Sequence, residues 1–182
     1  MAKAKKTASR SRGKSTRARQ DAIALLKADH RQVEKWFGQF EKTRSGARKD
    51  DLARQICNAL QVHTKIEEEI FYPAFLEATE EKDIHHEAEV EHNGAKKLIA
   101  EIESADSQDD YFDAKVTVLS EMIKHHVREE EKRGGMFAKA RQSGMDLKHL
   151  GERLSARKAE LESGSGKAGG ARLAEDSRLS PA

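Results

Sequence analysis

The stretch His63-Thr64-Lys65-Ile66-Glu67-Glu68-Glu69-Ile70-Phe71-Tyr72-Pro73 decides how the chain is read, together with its echo His125-His126-Val127-Arg128-Glu129-Glu130-Glu131. In each copy a histidine is followed four residues later by a glutamate, a spacing that stacks both side chains on one helix face, one turn apart. An imidazole nitrogen and a carboxylate are both ligands for divalent iron, manganese or zinc, and a carboxylate has two oxygens with which to bridge two ions. Two copies on two helices predict a metal site shared between helices.

Outward from these copies, apolar residues recur at steps of three and four. Asp21 is expected to cap a helix from Ala22 to about Thr43, with Ile23, Leu26, Val33, Phe37 and Phe40 on its inner stripe and His30 among them. Gly46 is expected to end it in the left-handed conformation. Asp50 then caps a second helix carrying Leu52, Ile56, Leu60, Ile66 and Ile70. His63 and Glu67 continue that stripe, Glu68 and Glu69 face its flanks, and Phe71-Tyr72-Pro73 closes or kinks it. A third helix, capped by Thr79 and running to about Glu103, places His92 in phase with Ala95, Ile99 and Ile102, and also takes Val90 as apolar. His85 lies on nearly the same side and His86 off it. The fourth carries Phe112, Val116, Leu119, Ile123, His126 and Glu130 on one stripe, which selects His126 over His125 and Glu130 over Glu129. Lys132-Arg133-Gly134-Gly135 interrupts it. A weaker helical segment with Leu147, Leu150, Leu154 and Leu161 ends at Gly164-Ser165-Gly166, and His149 reads as surface.

A chain of 182 residues with 36% charged and 5% aromatic residues favours helices over a β-sandwich. The expected fold is all-α: an up-down-up-down antiparallel four-helix bundle over residues 21–161 with a short extra C-terminal helix, a basic disordered tail over 1–20 and a flexible tail over 162–182. The 34 basic and 32 acidic residues give a formal +2, but the first twenty residues are basic and the middle is acidic. That basic tail has no aromatic interleaving for base stacking. It is read either as a solvated tail or as a weak, nonspecific contact with nucleic acid. The single Cys57 excludes an intramolecular disulfide framework, reads as a small buried hydrophobe and suits a cytoplasmic location. No run of 18 apolar residues predicts a membrane span. Nothing in the pattern specifies an oligomeric state.

Each of the four stripes contains one histidine: His30, His63, His92 and His126. Two add a carboxylate, Glu67 and Glu130. Six ionisable groups on apolar stripes are costly to bury without something to bind them. Six ligands with two bridging carboxylates exceed the four of a closed tetrahedral zinc site, so two ions are expected, iron first, manganese next and zinc as an adventitious occupant. The ferritin-like design needs Glu-x-x-His on each of two helices, and Glu89-Val90-Glu91-His92 supplies one.

On Asp29-His30, His63 through Glu67 with Phe71-Tyr72-Pro73, Glu91-His92, and His126 through Glu130, the chain resembles the hemerythrin-like, or HHE cation-binding, family over about residues 21 to 161. The resemblance implies a non-haem di-iron centre bridged by the two carboxylates and an oxo or hydroxo group, with an open position for dioxygen, nitric oxide or peroxide. It implies a protein that binds or senses oxygen, nitric oxide or redox state, or that handles iron. The alternatives are an enzyme acting on peroxide or nitric oxide at the same centre, or a metal-switched protein that binds nucleic acid or a partner. Classical oxygen-carrying members have His-x-x-x-His on the third helix, whereas the residue four before His92 is Ala88 here. Glu89 and His85 are the candidates to replace that imidazole, and His125 is a further candidate ligand. Past Glu131 the chain also departs from the family's shorter turn ending in proline.

Overall fold

In the computed structural model the backbone is described for residues 20–176 and the side chains for residues 20–164. The basic segment lies outside the described residues except for Gln20, and so do residues 177–182 of the C-terminal segment. Among the described residues the order is α1 (Ala22–Lys42), α2 (Gly46–Ile66), a π-turn (Glu67–Phe71), α3 (Tyr72–Thr79), α4 (Lys82–Glu103), α5 (Phe112–Glu131), α6 (Met136–Gln142) and α7 (Leu147–Asp176).

The four long helices α1, α2, α4 and α5 form an up-down-up-down bundle, and pairs of contacts give their directions. Phe40 late in α1 packs on Phe112 at the start of α5, while His30 earlier in α1 meets Glu131 at the end of α5. Gln61 and Glu68 pair with Glu103 and His92, so α2 and α4 run oppositely. Glu91 and Glu101 pair with His126 and Lys115, so α4 and α5 do too.

The apolar stripes bury two separate clusters. One holds Phe37, Phe40, Leu52, Ile56, Ile99 and Leu119; the other holds Ile23, Leu26, Phe71, Phe75, Phe137 and Leu154. On α1, α2 and α4 the buried histidine falls where the stripe passes from one cluster to the other. The polar layer therefore lies between two hydrocarbon clusters.

Asp21 caps α1 as expected, accepting from the Ala24 amide at 2.7 Å. Other caps differ. The cap of α2 is Ser45, whose hydroxyl accepts from the Arg48 amide. Gly46 is the first residue of α2 and not a left-handed terminator. Asp50 turns outward instead and accepts from the Ser107 amide and hydroxyl at 2.7 and 2.9 Å, which ties α2 to the α4–α5 turn. Thr79 ends α3, with Glu80 left-handed (φ 57°) before α4 begins. Val90 is 72% exposed, because the buried face of α4 runs through Ala88, His92 and Ala95.

Pro73 neither closes the helix nor ends its pattern. Proline has no amide to donate and its ring crowds the carbonyl four residues back. The chain widens by one residue into the π-turn, in which the Tyr72 amide donates to the Glu67 carbonyl. After α5, Gly134 takes φ 79° and Gly135 packs so tightly that a Cβ would stand 2.2 Å from the Glu129 carbonyl oxygen. This turn sends α6 back onto the bundle and stacks Phe137 on His30. α7 docks through Leu150 and Leu154, with Lys158 paired to Asp29 and Arg157 to Glu69. It continues beyond Gly164-Ser165-Gly166, the expected end, as far as Asp176. No helix among the described residues is long and apolar enough to cross a membrane.

Two glycines of α7 give a test of this docking. A Cβ at Gly151 would lie 2.4 Å from the Gln20 carbonyl oxygen, whereas one at Gly164 meets nothing within 4 Å. Gly151→Ala is expected to lower stability by about 1–3 kcal/mol through overpacking, and Gly164→Ala to be neutral or stabilising by up to ~1 kcal/mol. Chemical denaturation of the two variants checks the contrast, and equal effects would contradict the docking.

Candidate metal centre

His30, His63, Glu67, His92, His126 and Glu130 are all buried, and they meet in one closed ring. Nε2 of His30 lies 3.0 Å from Nε2 of His63, and Nε2 of His92 lies 3.2 Å from Nε2 of His126. Oε2 of Glu67 joins the two pairs, 3.3 Å from His63 Nε2 and 3.5 Å from His92 Nε2. Oε2 of Glu130 closes the circle at 3.5 Å from His30 and 3.6 Å from His126. Each carboxylate thus stands between one imidazole of either pair, the position from which it can bridge two ions.

The other ring nitrogens all face carboxylates. Nδ1 of His30 lies 2.8 Å from Glu131, His63 3.5 Å from Asp29, His92 3.2 Å from Glu68 and His126 2.7 Å from Glu91. An ionised carboxylate only accepts, so the hydrogen-bonded Nδ1 atoms of His30, His92 and His126 carry a proton and their Nε2 atoms point inward, while Nδ1 of His63 faces Asp29 without a hydrogen bond. Every outer acid is the sequence neighbour of one inner residue but serves the histidine of the next helix. Asp29 on α1 serves α2, Glu68 after α2 serves α4, Glu91 on α4 serves α5, and Glu131 on α5 serves α1.

Burial pushes His30 and His63 below the usual imidazole value, and burial with the neighbouring His126 takes His92 to about 2. Burial lowers His126 as well, but Glu130 and Glu91 outweigh it and hold that ring above its usual value. Burial and then the charge of Glu130 push Glu67 well above the carboxylate range, and burial raises Glu130. In the outer layer, the bond from His30 and the cations of Lys27 and Arg31 bring Glu131 down to about 2. Burial alone would raise Asp29, but bonds to His63 and Lys158 hold it low.

The donor set fits divalent cations. Both oxygens of Glu67 and Oε2 of Glu130 are buried without a hydrogen-bond partner, and two pairs of imidazole Nε2 atoms face each other at 3.0 and 3.2 Å. Buried polar atoms left unpaired are rare and costly, and a cation would satisfy all of them together. His30, His63 and Glu67 form one set of mutually close donors, and Glu67, His92 and His126 another that shares the same carboxylate.

The three further candidates stand outside the ring. Glu89 is 49% exposed at its side chain and lies 3.7 Å from Nδ1 of His85, whose ring packs edge-on against Tyr72. His125 is exposed and pairs with Glu91. His86 and His149 are exposed as expected. Tyr72 was not legible as a site residue, yet its buried hydroxyl lies 3.2 Å from His92 Nε2 and 3.3 Å from Glu130 Oε1. On a regular α-helix a residue five after Glu67 points roughly 140° away. The π-turn brings it back, and Pro73 is the only sequence signal of that turn.

The sequence pattern of the Hemerythrin HHE cation binding domain matches residues 21–137. This chain belongs to that family. The matched span contains all six ring residues of this hemerythrin HHE domain, its four outer carboxylates and Tyr72. The fold is also that of a solved Hemerythrin HHE cation binding domain-containing protein, the Rv2633c homolog from Mycobacterium kansasii. The two share 21% identity at a TM-score of 0.67, over 80% of this chain and 89% of that one. No curated protein matches the chain. The family binds metal cations, and the His/Glu clusters here are arranged to hold them.

Glu67→Gln separates ligation from folding. The folded value of Glu67 is raised, so its contribution is full below about 4.5 and is lost as pH rises through the folded value. In chelator, the glutamine variant should therefore melt higher than wild type, with an advantage that grows as pH rises. The lowered His30, His63 and His92 act the other way and erode both proteins below about pH 6.5. With iron(II) added under anaerobic conditions the order of melting temperatures should reverse. An advantage that is flat with pH, or one that persists with iron, contradicts the assignment.

Proposed function

We propose that this hemerythrin HHE protein is a non-haem di-iron protein that binds or senses a small ligand, such as dioxygen, nitric oxide or peroxide. The observation that carries the reading is the ring itself, in which two imidazole pairs are joined by two carboxylates at opposite points. One ion would take His30 and His63, the second His92 and His126, with Glu67 and Glu130 shared between them. Two bound iron ions would supply redox chemistry and coordination positions that the protein leaves open.

The residues around the ring favour sensing or reaction over reversible oxygen carriage. Tyr72 is an additional oxygen donor beside His92, in a set where classical carriers of the family have an imidazole four residues earlier and this chain has Ala88. Burial and the charges of Glu67 and Glu130 raise the phenol well above its usual value, and a nearby dication would pull it the opposite way. An anionic phenolate is a hard donor and stabilises ferric over ferrous iron. Between the four ring histidines and Val33, Leu60 and Ile123 lies a void of about 10 Å³, close to the minimum for one water. On the opposite side a cavity of about 220 Å³ reaches from Ala88 and Glu130 to solvent, with room for a diatomic molecule or peroxide.

Anaerobic loading with iron(II), followed by air, is expected to give two irons per chain and a near-ultraviolet charge-transfer band. His63→Ala and Glu130→Ala should bind one iron or none, while His86→Ala and His149→Ala keep both. Tyr72→Phe should keep iron but change the visible spectrum. A colourless protein that takes up no iron would sink the proposal, and equal losses in all the histidine variants would refute the ring.

A further inference from the structure

Glu87, Glu91 and His125 stand together on the outer faces of α4 and α5, each offering a ligand atom within 4.8 Å of the others. Glu91 joins this group to the buried centre. One of its oxygens lies 3.1 Å from His125 Nε2 and the other 2.7 Å from Nδ1 of His126. Glu87 and Glu91 also line the cavity of about 220 Å³, whose wall continues through Ala88 to Glu130. Glu130 is 2% exposed, and its Oε2 has no hydrogen-bond partner. The cavity therefore runs from two of the surface donors to Glu130, a residue of the buried ring. Its lining residues include Glu87, Glu91, Glu129 and Glu130 against Lys132, which is itself paired with Glu129.

We propose that Glu87, Glu91 and His125 form a surface site for a divalent transition cation, iron(II) in particular, from which the buried centre is loaded through the cavity beside Glu130. The loading role rests on the function proposed above. Two carboxylates and one imidazole at a solvated mouth leave several positions to water, which suits a weak, exchangeable site more than a structural one. An acid-lined cleft also raises the local concentration of cations and the rate at which they arrive. The void on the other face of the ring, lined by His30, His63, His92 and His126, is about 10 Å³.

The test uses the full chain and cobalt(II), whose visible bands report binding without an oxidant. Wild type should take up two tightly held ions and a third, weak one in a calorimetric titration. The double variant Glu87→Gln/His125→Ala should lose the weak ion and keep the two tight ones. Its loading should be slower by about tenfold or more at low salt, within the range that electrostatic steering supplies. His149→Ala should load at the wild-type rate. An unchanged rate in the double variant, or loss of a tight ion from it, overturns the inference while two tight ions in wild type leave the proposed function standing. A wild type that holds no tight ion refutes that function and the loading role together.

Discussion

Four imidazoles are held with their Nε2 atoms turned toward one another in pairs, and this constraint organises the molecule. Imidazole nitrogens brought to about 3 Å around two buried carboxyl groups do not stay together of their own accord. What holds the rings is the outer layer, in which Glu68, Glu91 and Glu131 each bond an Nδ1 on the neighbouring helix and Asp29 faces that of His63. The same contacts fasten the four helices to each other around the circle. Inner ring and bundle thus depend on one set of polar contacts, and a cation at the centre would turn their electrostatic cost into attraction.

The apolar chemistry follows from that layer. Two hydrophobic clusters lie on either side of it, which lowers the local dielectric and would strengthen both the cost without metal and the gain with it. The segments that depart from regular geometry serve the same layer. The π-turn at Glu67–Phe71 returns Tyr72 to the face of Glu67, and the Gly134-Gly135 turn lays Phe137 over His30. Beyond the bundle, Lys158 of α7 holds Asp29, which in turn faces His63, so the last helix also bears on the site.

Much of this was legible in the sequence because helical phase is a simple projection. His30, His63, Glu67, His92, His126 and Glu130 repeat at three- and four-residue steps with apolar neighbours, and all six are buried where phase places them. What phase does not contain is contact between helices. Glu68 does lie on a flank of its own helix, but the flank faces His92. The outer acids left a trace, since Asp29, Glu68, Glu91 and Glu131 each adjoin an inner residue, yet adjacency alone does not say which histidine each one serves. Local geometry was the other gap. Asp50 is as good a cap as Ser45 by composition, and only the position of Ser107 draws it away. Tyr72 sits at a spacing that an α-helix would turn aside, and Val90 is apolar on a face that carries no core.

The central claim is that the ring holds two ions bridged by Glu67 and Glu130. Anomalous diffraction at the iron edge from crystals of the iron-loaded protein tests it most directly. The account predicts two peaks inside the ring, about 3.5–4 Å apart as in other two-metal sites, one beside His30 and His63 and the other beside His92 and His126. A single peak, or peaks that lie away from Glu67 and Glu130, would contradict it.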